Sequence, residues 1–189
     1  DSFTLRTFPL SVTAVYSCLE ASGRLAIRWV TPSTIRVMKA KGVILPSPVL
    51  AMLENGRMVG FEGEAGAVDA LRRYLDAAGA EMNKDGRVVN SWHMGTHPGC
   101  FTHLRPQDDL FGWILHAHGN PRLAHFHVIG EAPPGEGSIP LLDPTVCFGG
   151  KTLWEHGRLL LADDADFRAR IAPWGDPARL LRAESRIGV

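Results

Sequence analysis

The chain has 189 residues, 45% hydrophobic, 21% charged and 8% aromatic, a balance that can bury a core and that excludes disordered and fibrous classes. Twenty basic side chains match twenty acidic ones, so the formal net charge is zero. No Lys/Arg cluster gives an electrostatic reason to expect nucleic acid or an anionic membrane as partner. No window approaches the roughly twenty apolar residues of a membrane helix, and no secretory signal pattern opens the chain. Cys18, Cys100 and Cys147 are widely separated and form no CxxC pair, so neither a disulfide framework nor a thiolate zinc site is signalled. These features predict one soluble domain over residues 1–189, in a reducing cytoplasm. The opening Asp1-Ser2-Phe3, without Met, adds the expectation that an upstream part of the protein is missing from the chain.

Alternation in residues 11–17 and again in residues 25–30, separated by Gly23, predicts two strands, the second ended by Pro32. A further strand is expected at residues 43–45, before Pro46 and Pro48. Residues 49–53 and 58–62 then form a hairpin that turns on Asn55-Gly56. Over residues 63–81 the period changes: Val68, Leu71, Leu75 and Ala78 recur at helical spacing, with Asp69, Arg72, Arg73 and Asp76 on the other face and Gly79 near the stop. Residues 87–91 read as a short strand, and residues 92–121, rich in His, Gly and Pro, as a long irregular loop too polar for core. A strand at 123–129 is followed by a Gly/Pro loop at 131–140. Residues 145–148 and 158–161 are expected to pair around Gly149-Gly150, and from Asp163 the chain reads as helical, broken by Pro173 and Pro177. The fold class that follows is α+β: mostly antiparallel sheet, one central amphipathic helix and a helical C-terminus.

Seven of the eight histidines, all but His156, lie between residues 93 and 127. In His125-Phe126-His127 the period of two puts both imidazoles on one face of a strand and Phe126 on the other, so the pair can reach a single ion. Imidazole suits Fe, Zn, Cu or Ni. The alternative is two strand histidines bonded to neighbouring groups. A catalytic metal site needs about three protein ligands with positions left open. His93, just after the predicted strand at 87–91, is the first choice for the third, and the carboxylate of Glu131 is the other candidate. His97 and His103 are candidates for proton transfer, because imidazole titrates near neutral pH; His116 and His118 are weaker ones. Asp143 could orient a ligating imidazole through its second nitrogen, or simply start a turn before Pro144. Trp92, Phe101, Phe111 and Trp113 could line an aromatic pocket or pack as a small core beneath the loop.

Two resemblances add to this. Gly119-x5-His125-x-His127-x3-Glu131 resembles the first metal motif of the cupin barrels, without the second motif, which leaves a cupin-like β-barrel as the alternative fold. A wider similarity spans residues 43–161. Glu54-Asn55-Gly56-Arg57-Met58-Val59-Gly60-Phe61-Glu62, Gly95-Thr96-His97-Pro98, Gly119-Asn120, His125-x-His127, Asp143-Pro144-Thr145 and Gly157-Arg158-Leu159 follow one another as in the C-terminal domain of the thermophilic-type metalloaminopeptidases and their relatives, the Fe(II)-dependent 2,5-dihydroxypyridine 5,6-dioxygenases. The resemblance implies that His125 takes the His of that superfamily's metal-binding His-x-Asp pair, while His127 stands where Asp is expected. It also implies that His97 replaces the Asn of a Gly-x-Asn-Pro turn, and that His93 lies near a histidine ligand of the dioxygenase branch. Leu45-Pro46-Ser47-Pro48 and Asn90-Ser91-Trp92 carry none of the acids of the two-metal aminopeptidases, so the implied site is histidine-rich and holds one metal.

The expected function is therefore a mononuclear non-haem Fe(II) dioxygenase that cleaves the ring of a small hydroxylated aromatic or heteroaromatic substrate. Its ligands would be His93, His125 and His127, with His97 or His103 moving the proton. The alternatives are a Zn- or Mn-dependent amide or peptide hydrolase, and a non-catalytic subunit that uses residues 92–121 as a binding surface. The expected partners are a small-molecule substrate and a second copy of the chain or a missing N-terminal domain, with no nucleic acid and no membrane.

Overall fold

The computed structural model describes residues 13–33, 41–130 and 137–189. The chain divides into two compact units, one made of Val15–His93 with Ala124–Leu141, the other of Met94–Leu123 with Leu142–Val189.

The first unit is built on an open sheet. Its strands are β1 (Thr13–Ser17), β2 (Gly23–Pro32), β3 (Val43–Glu54), β4 (Arg57–Glu62), β5 (Val89–Gly95), β6 (Leu123–Val128) and β7 (Gly137–Leu142), in the spatial order β1-β5-β6-β7-β2-β3-β4. β2 pairs antiparallel with β3 and β7, and β3 with β4. Strands β1 and β4 are the two edges, so the sheet does not close on itself. The α+β expectation describes the molecule, and the cupin-like barrel does not.

The hairpin between β3 and β4 turns on Asn55 (φ 46°) and Gly56 (φ 72°), the left-handed pair that a tight two-residue turn requires. A Cβ on Gly56 would also lie 2.6 Å from the carbonyl oxygen of Cys18. The sequence reading split β3 into two strands because prolines usually end one. The strand instead runs through both. Pairing with β2 steps from Ile27–Val49 to Trp29–Ile44, so residues 45–48 bow outward opposite Arg28, whose Nη1 donates to the Pro46 carbonyl at 2.6 Å. A bulge lets Pro46 and Pro48 sit where no ladder donor is needed.

Helix α1 (Ala65–Met82) packs on β3 and buries Ala67, Val68, Leu71, Leu75, Ala78 and Gly79, the stripe the sequence spacing marks. It continues past Gly79 and ends at Asn83, which adopts φ 52°. Gly79 is needed for contact rather than for stopping the helix: a Cβ there would meet the Lys84 carbonyl at 2.8 Å. Ile27, Val30, Leu45, Val49 and Ala51 from the sheet complete this core with Val89, Val128 and Ile139. β5 extends four residues beyond the predicted strand, and β7 occupies residues 137–140, which were expected to be loop.

The second unit corrects the reading of residues 92–121 as irregular and too polar for core. It holds helix α2 (Leu110–Ala117), capped by Asp109, whose carboxylate accepts from Gly112 N–H at 2.9 Å. Trp113 is fully buried and its indole donates to the Ile187 carbonyl at 2.5 Å. Asn120, 1% exposed, donates to the carbonyls of Cys100 at 2.7 Å and Glu184 at 2.9 Å and accepts from Arg122 N–H at 2.8 Å. One buried amide thus ties three separate stretches of backbone together.

A small sheet follows, with β8 (Val146–Phe148) paired to β9 (Lys151–Glu155) across Gly149-Gly150, and β9 to β10 (Arg158–Leu159) across His156-Gly157. The sequence reading joined β8 directly to β10, missing the middle strand. The C-terminal stretch is helical as expected, with α3 (Ala165–Ile171) and α4 (Pro177–Leu180), each capped by an aspartate. No helix among the described residues is long and apolar enough to cross a membrane.

Gly56→Ala combines left-handed strain with a backbone clash and is expected to cost roughly 1–3 kcal/mol, read as a lower urea midpoint with unchanged slope. Burial pushes the Cys18 thiol up to about 12 and raises that of Cys100, whereas Cys147 is exposed. At pH 8 Cys147 should therefore react rapidly with a thiol reagent, while Cys18 and Cys100 react only after unfolding. Because the unfolded Cys18 ionises near 9 and the folded one near 12, its contribution to stability is complete below pH 9 and drains away as pH rises toward 12.

Candidate metal centre

The central strands β5 and β6 are neighbours in the sheet. On β6, His125 and His127 share one face and Phe126 the other; on β5, His93 and Trp92 divide in the same way. The face opposite the histidines carries a row of stacked rings. Tyr16 lies 4.7 Å from Trp92 and Trp92 lies 6.1 Å from Phe126, between ring centroids, at interplanar angles of 26° and 20°. Cross-strand aromatic pairs of this kind lock strand register. Further along β5 the buried Asn90 donates from Nδ2 to the Gly130 carbonyl at 2.8 Å, and Ile129 N–H donates to the Val88 carbonyl at 3.0 Å. These bonds hold the two strands together beyond the end of the histidine cluster.

On the other face the three imidazoles converge. His93 is 4.5 Å from His125 and 4.7 Å from His127, and His125 is 5.2 Å from His127, between ring centroids. One ligating nitrogen from each ring lies within 4.8 Å of the others, and His125 is 9% exposed while His93 and His127 are half-buried. Three nitrogens bound to one ion at about 2.0–2.1 Å are at most about 4 Å apart, so modest ring rotation brings this group to ligating geometry. The donor set fits a borderline transition metal such as iron or zinc better than magnesium or calcium, which take oxygen ligands.

His127 has a further neighbour. The Ser33 hydroxyl, just past the end of β2, lies 3.2 Å from His127 Nδ1. In the tautomer that donates from Nδ1 to Ser33 Oγ, Nε2 is left with its lone pair free for an ion, the arrangement metal-binding histidines generally need. Sequence reading did not find Ser33. No motif marks it, because its approach depends on β7 and β2 lying beside β6 in the sheet.

His93 lies within β5 itself rather than in a loop after it, which gives its side chain a strand's fixed direction. His97 and His103 belong to the second unit. His97 is half-buried, its backbone N–H donating to the Gly119 carbonyl at 2.9 Å, and His103 is exposed with its ring edge-on to Phe101 at 5.5 Å. His116 is exposed on α2, and His118 has Nδ1 2.8 Å from the Leu115 carbonyl. Asp143, in the second unit, accepts from Arg122 Nε and Nη2 at 2.7 Å each, and this two-pronged pair raises the Arg122 pKa further. Glu131 lies outside the described residues. Of the aromatic residues, Trp92 and Trp113 are buried and Phe101 is 50% exposed.

The site these strands define is a three-imidazole centre on an open α+β sheet, able to hold a metal ion. No family model and no curated protein matches the chain. Among solved structures it is similar to a 2,5-dihydroxypyridine dioxygenase from Pseudomonas putida KT2440, at 15% sequence identity and a TM-score of 0.48. The match covers 74% of this chain and 40% of the length of that one.

Ser33→Ala is expected to leave the fold intact by circular dichroism while weakening metal retention roughly tenfold to a hundredfold, measured by titrating zinc-loaded protein with a competing chelator.

Proposed function

We propose that the chain is a metal-dependent enzyme whose ion is held by His93, His125 and His127, and that its reaction is the Fe(II)-dependent oxygenative ring opening of a small hydroxylated aromatic or heteroaromatic compound. The observation that carries the reading is the convergence of three imidazole nitrogens within 4.8 Å on two adjacent strands. A set of three neutral donors leaves part of the coordination sphere open, which catalytic sites require and structural sites lack. When bound, Fe(II) supplies those open positions and redox chemistry toward O2. The chain's own part is positioning. The aromatic row behind β5 and β6 fixes the register that keeps the rings together, and Ser33 stands where it can accept from His127 Nδ1–H in the tautomer that leaves Nε2 free for the ion. The sequence resemblance to the dioxygenase branch favours a hydroxylated ring as substrate.

The same donor set supports a second reading. Three histidines also form the zinc site of enzymes that activate water, so hydrolysis of an amide or peptide by a Zn- or Mn-loaded chain is the alternative.

Anaerobic reconstitution decides between these readings. The expected result is stoichiometric Fe(II) bound per chain, with O2 uptake on addition of dihydroxylated benzenes or pyridines. His125→Ala and His127→Ala are expected to lower metal affinity by more than about a hundredfold. Turnover that persists without oxygen and survives exchange of iron for zinc would establish the hydrolase instead. A chain that retains no transition metal, or whose metal content is unchanged in both His→Ala variants, would overturn the metal centre and leave a binding or subunit role.

A further inference from the structure

The second unit contains a cavity of about 390 Å³, and none of its lining residues belongs to the three-histidine cluster. Pro98, Pro121, Leu159, Ala162 and Leu181 give it apolar walls, and Arg122, Arg158 and Arg168 are its cations. The acids of the region account for two of the three. Arg122 is held by Asp143 through Nε and Nη2 and donates from Nη1 to the Ser185 carbonyl, all at 2.7 Å, so every arm is committed. Arg158 pairs with Asp163 at 2.8 Å. Glu184, the other acid in the lining, binds Arg186 through both oxygens.

Arg168, half-buried on α3, has no acidic partner among the described residues; its Nη1 donates to the Ala162 carbonyl at 3.1 Å. Asp164, one turn earlier, is the natural i,i+4 partner, but its Oδ1 caps the helix on Phe167 N–H at 2.8 Å and it makes no ion pair with Arg168. The Nε–Nη2 edge of Arg168, the pair of parallel donors that matches a carboxylate or phosphate, is thus uncommitted in the wall of a largely apolar cavity. An uncompensated guanidinium beside apolar walls is the arrangement that binds a small organic anion: the fork takes the charged head and the walls take the body.

We infer that this cavity binds a small organic anion with an apolar body, its carboxylate or phosphate group seated on Arg168. None of the residues that would hold the anion belongs to the histidine cluster.

Calorimetric titration of the full chain with benzoate, phenyl phosphate and neutral benzamide tests this. The readout is heat of binding and needs neither metal nor turnover, so it stands or falls separately from the proposed reaction. At least one of the two anions is expected to bind saturably, about tenfold or more tighter than benzamide. Arg168→Met, which keeps the stem and removes the fork, should weaken that anion by about tenfold to a hundredfold. Arg168→Lys, which keeps the charge but not the paired donors, should fall between them. Tighter binding of benzoate identifies a carboxylate ligand, and tighter binding of phenyl phosphate a phosphate monoester. Benzamide binding as well as the anions, no saturation by either anion, or an Arg168→Met chain that melts normally and binds them unchanged would overturn the assignment.

Discussion

The candidate site depends on the pairing of β5 with β6 and on its register. A strand presents alternate side chains to opposite faces, so a slip of one residue would exchange His125 and His127 for Phe126 and disperse the three imidazoles. What opposes that slip is on the far side of the sheet, where Tyr16, Trp92 and Phe126 stack across three strands. The polar cluster and the aromatic row are thus two faces of one constraint. The rings that could hold an ion are ordered by rings that never touch it, and any large change at Trp92 reaches the histidines through the backbone.

Much of this was readable wherever a short-range rule applied. The period of two in His125-Phe126-His127 fixed a shared face without knowledge of the partner strand. The 3.6-residue stripe of α1 and the Asn55-Gly56 turn were equally local. The misreadings came where tertiary context outweighed composition. Residues 92–121 contain enough His, Gly and Pro to look like open loop, yet Trp113, Ile114 and Ala117 are buried along one face of α2, and Asn120 is buried because all its hydrogen bonds are internal. Buried polar residues that tie loops together look like surface residues in a sequence. Asp143 shows the same limit: Asp before Pro signals a turn, but nothing near it names Arg122, whose guanidinium meets it from another part of the chain.

The two compact units solve the problem of internal order differently. In Val15–His93 with Ala124–Leu141, order comes from a sheet and from apolar residues of α1 at regular spacing. In Met94–Leu123 with Leu142–Val189, regular structure is short, and specific polar contacts replace it: the Trp113 indole on Ile187, the Asn120 amide on Cys100 and Glu184, and the paired bonds between Arg122 and Asp143. Each of these reaches a residue twenty or more positions away in sequence, so the second unit is defined by contacts between distant stretches.

The bowed stretch of β3 has a consequence beyond its own geometry. β4 pairs with β3 only from Leu50 to Glu54, so the outer side of residues 43–48 has no strand beside it among the described residues. An extended segment with free amide hydrogens is a template on which a foreign strand can dock. Here Pro46 and Pro48 withhold two of those hydrogens, and Arg28 occupies the Pro46 carbonyl with a charged group. The prolines that made this segment look like a break in the sheet are thus the two residues in it with no amide hydrogen to offer such a strand.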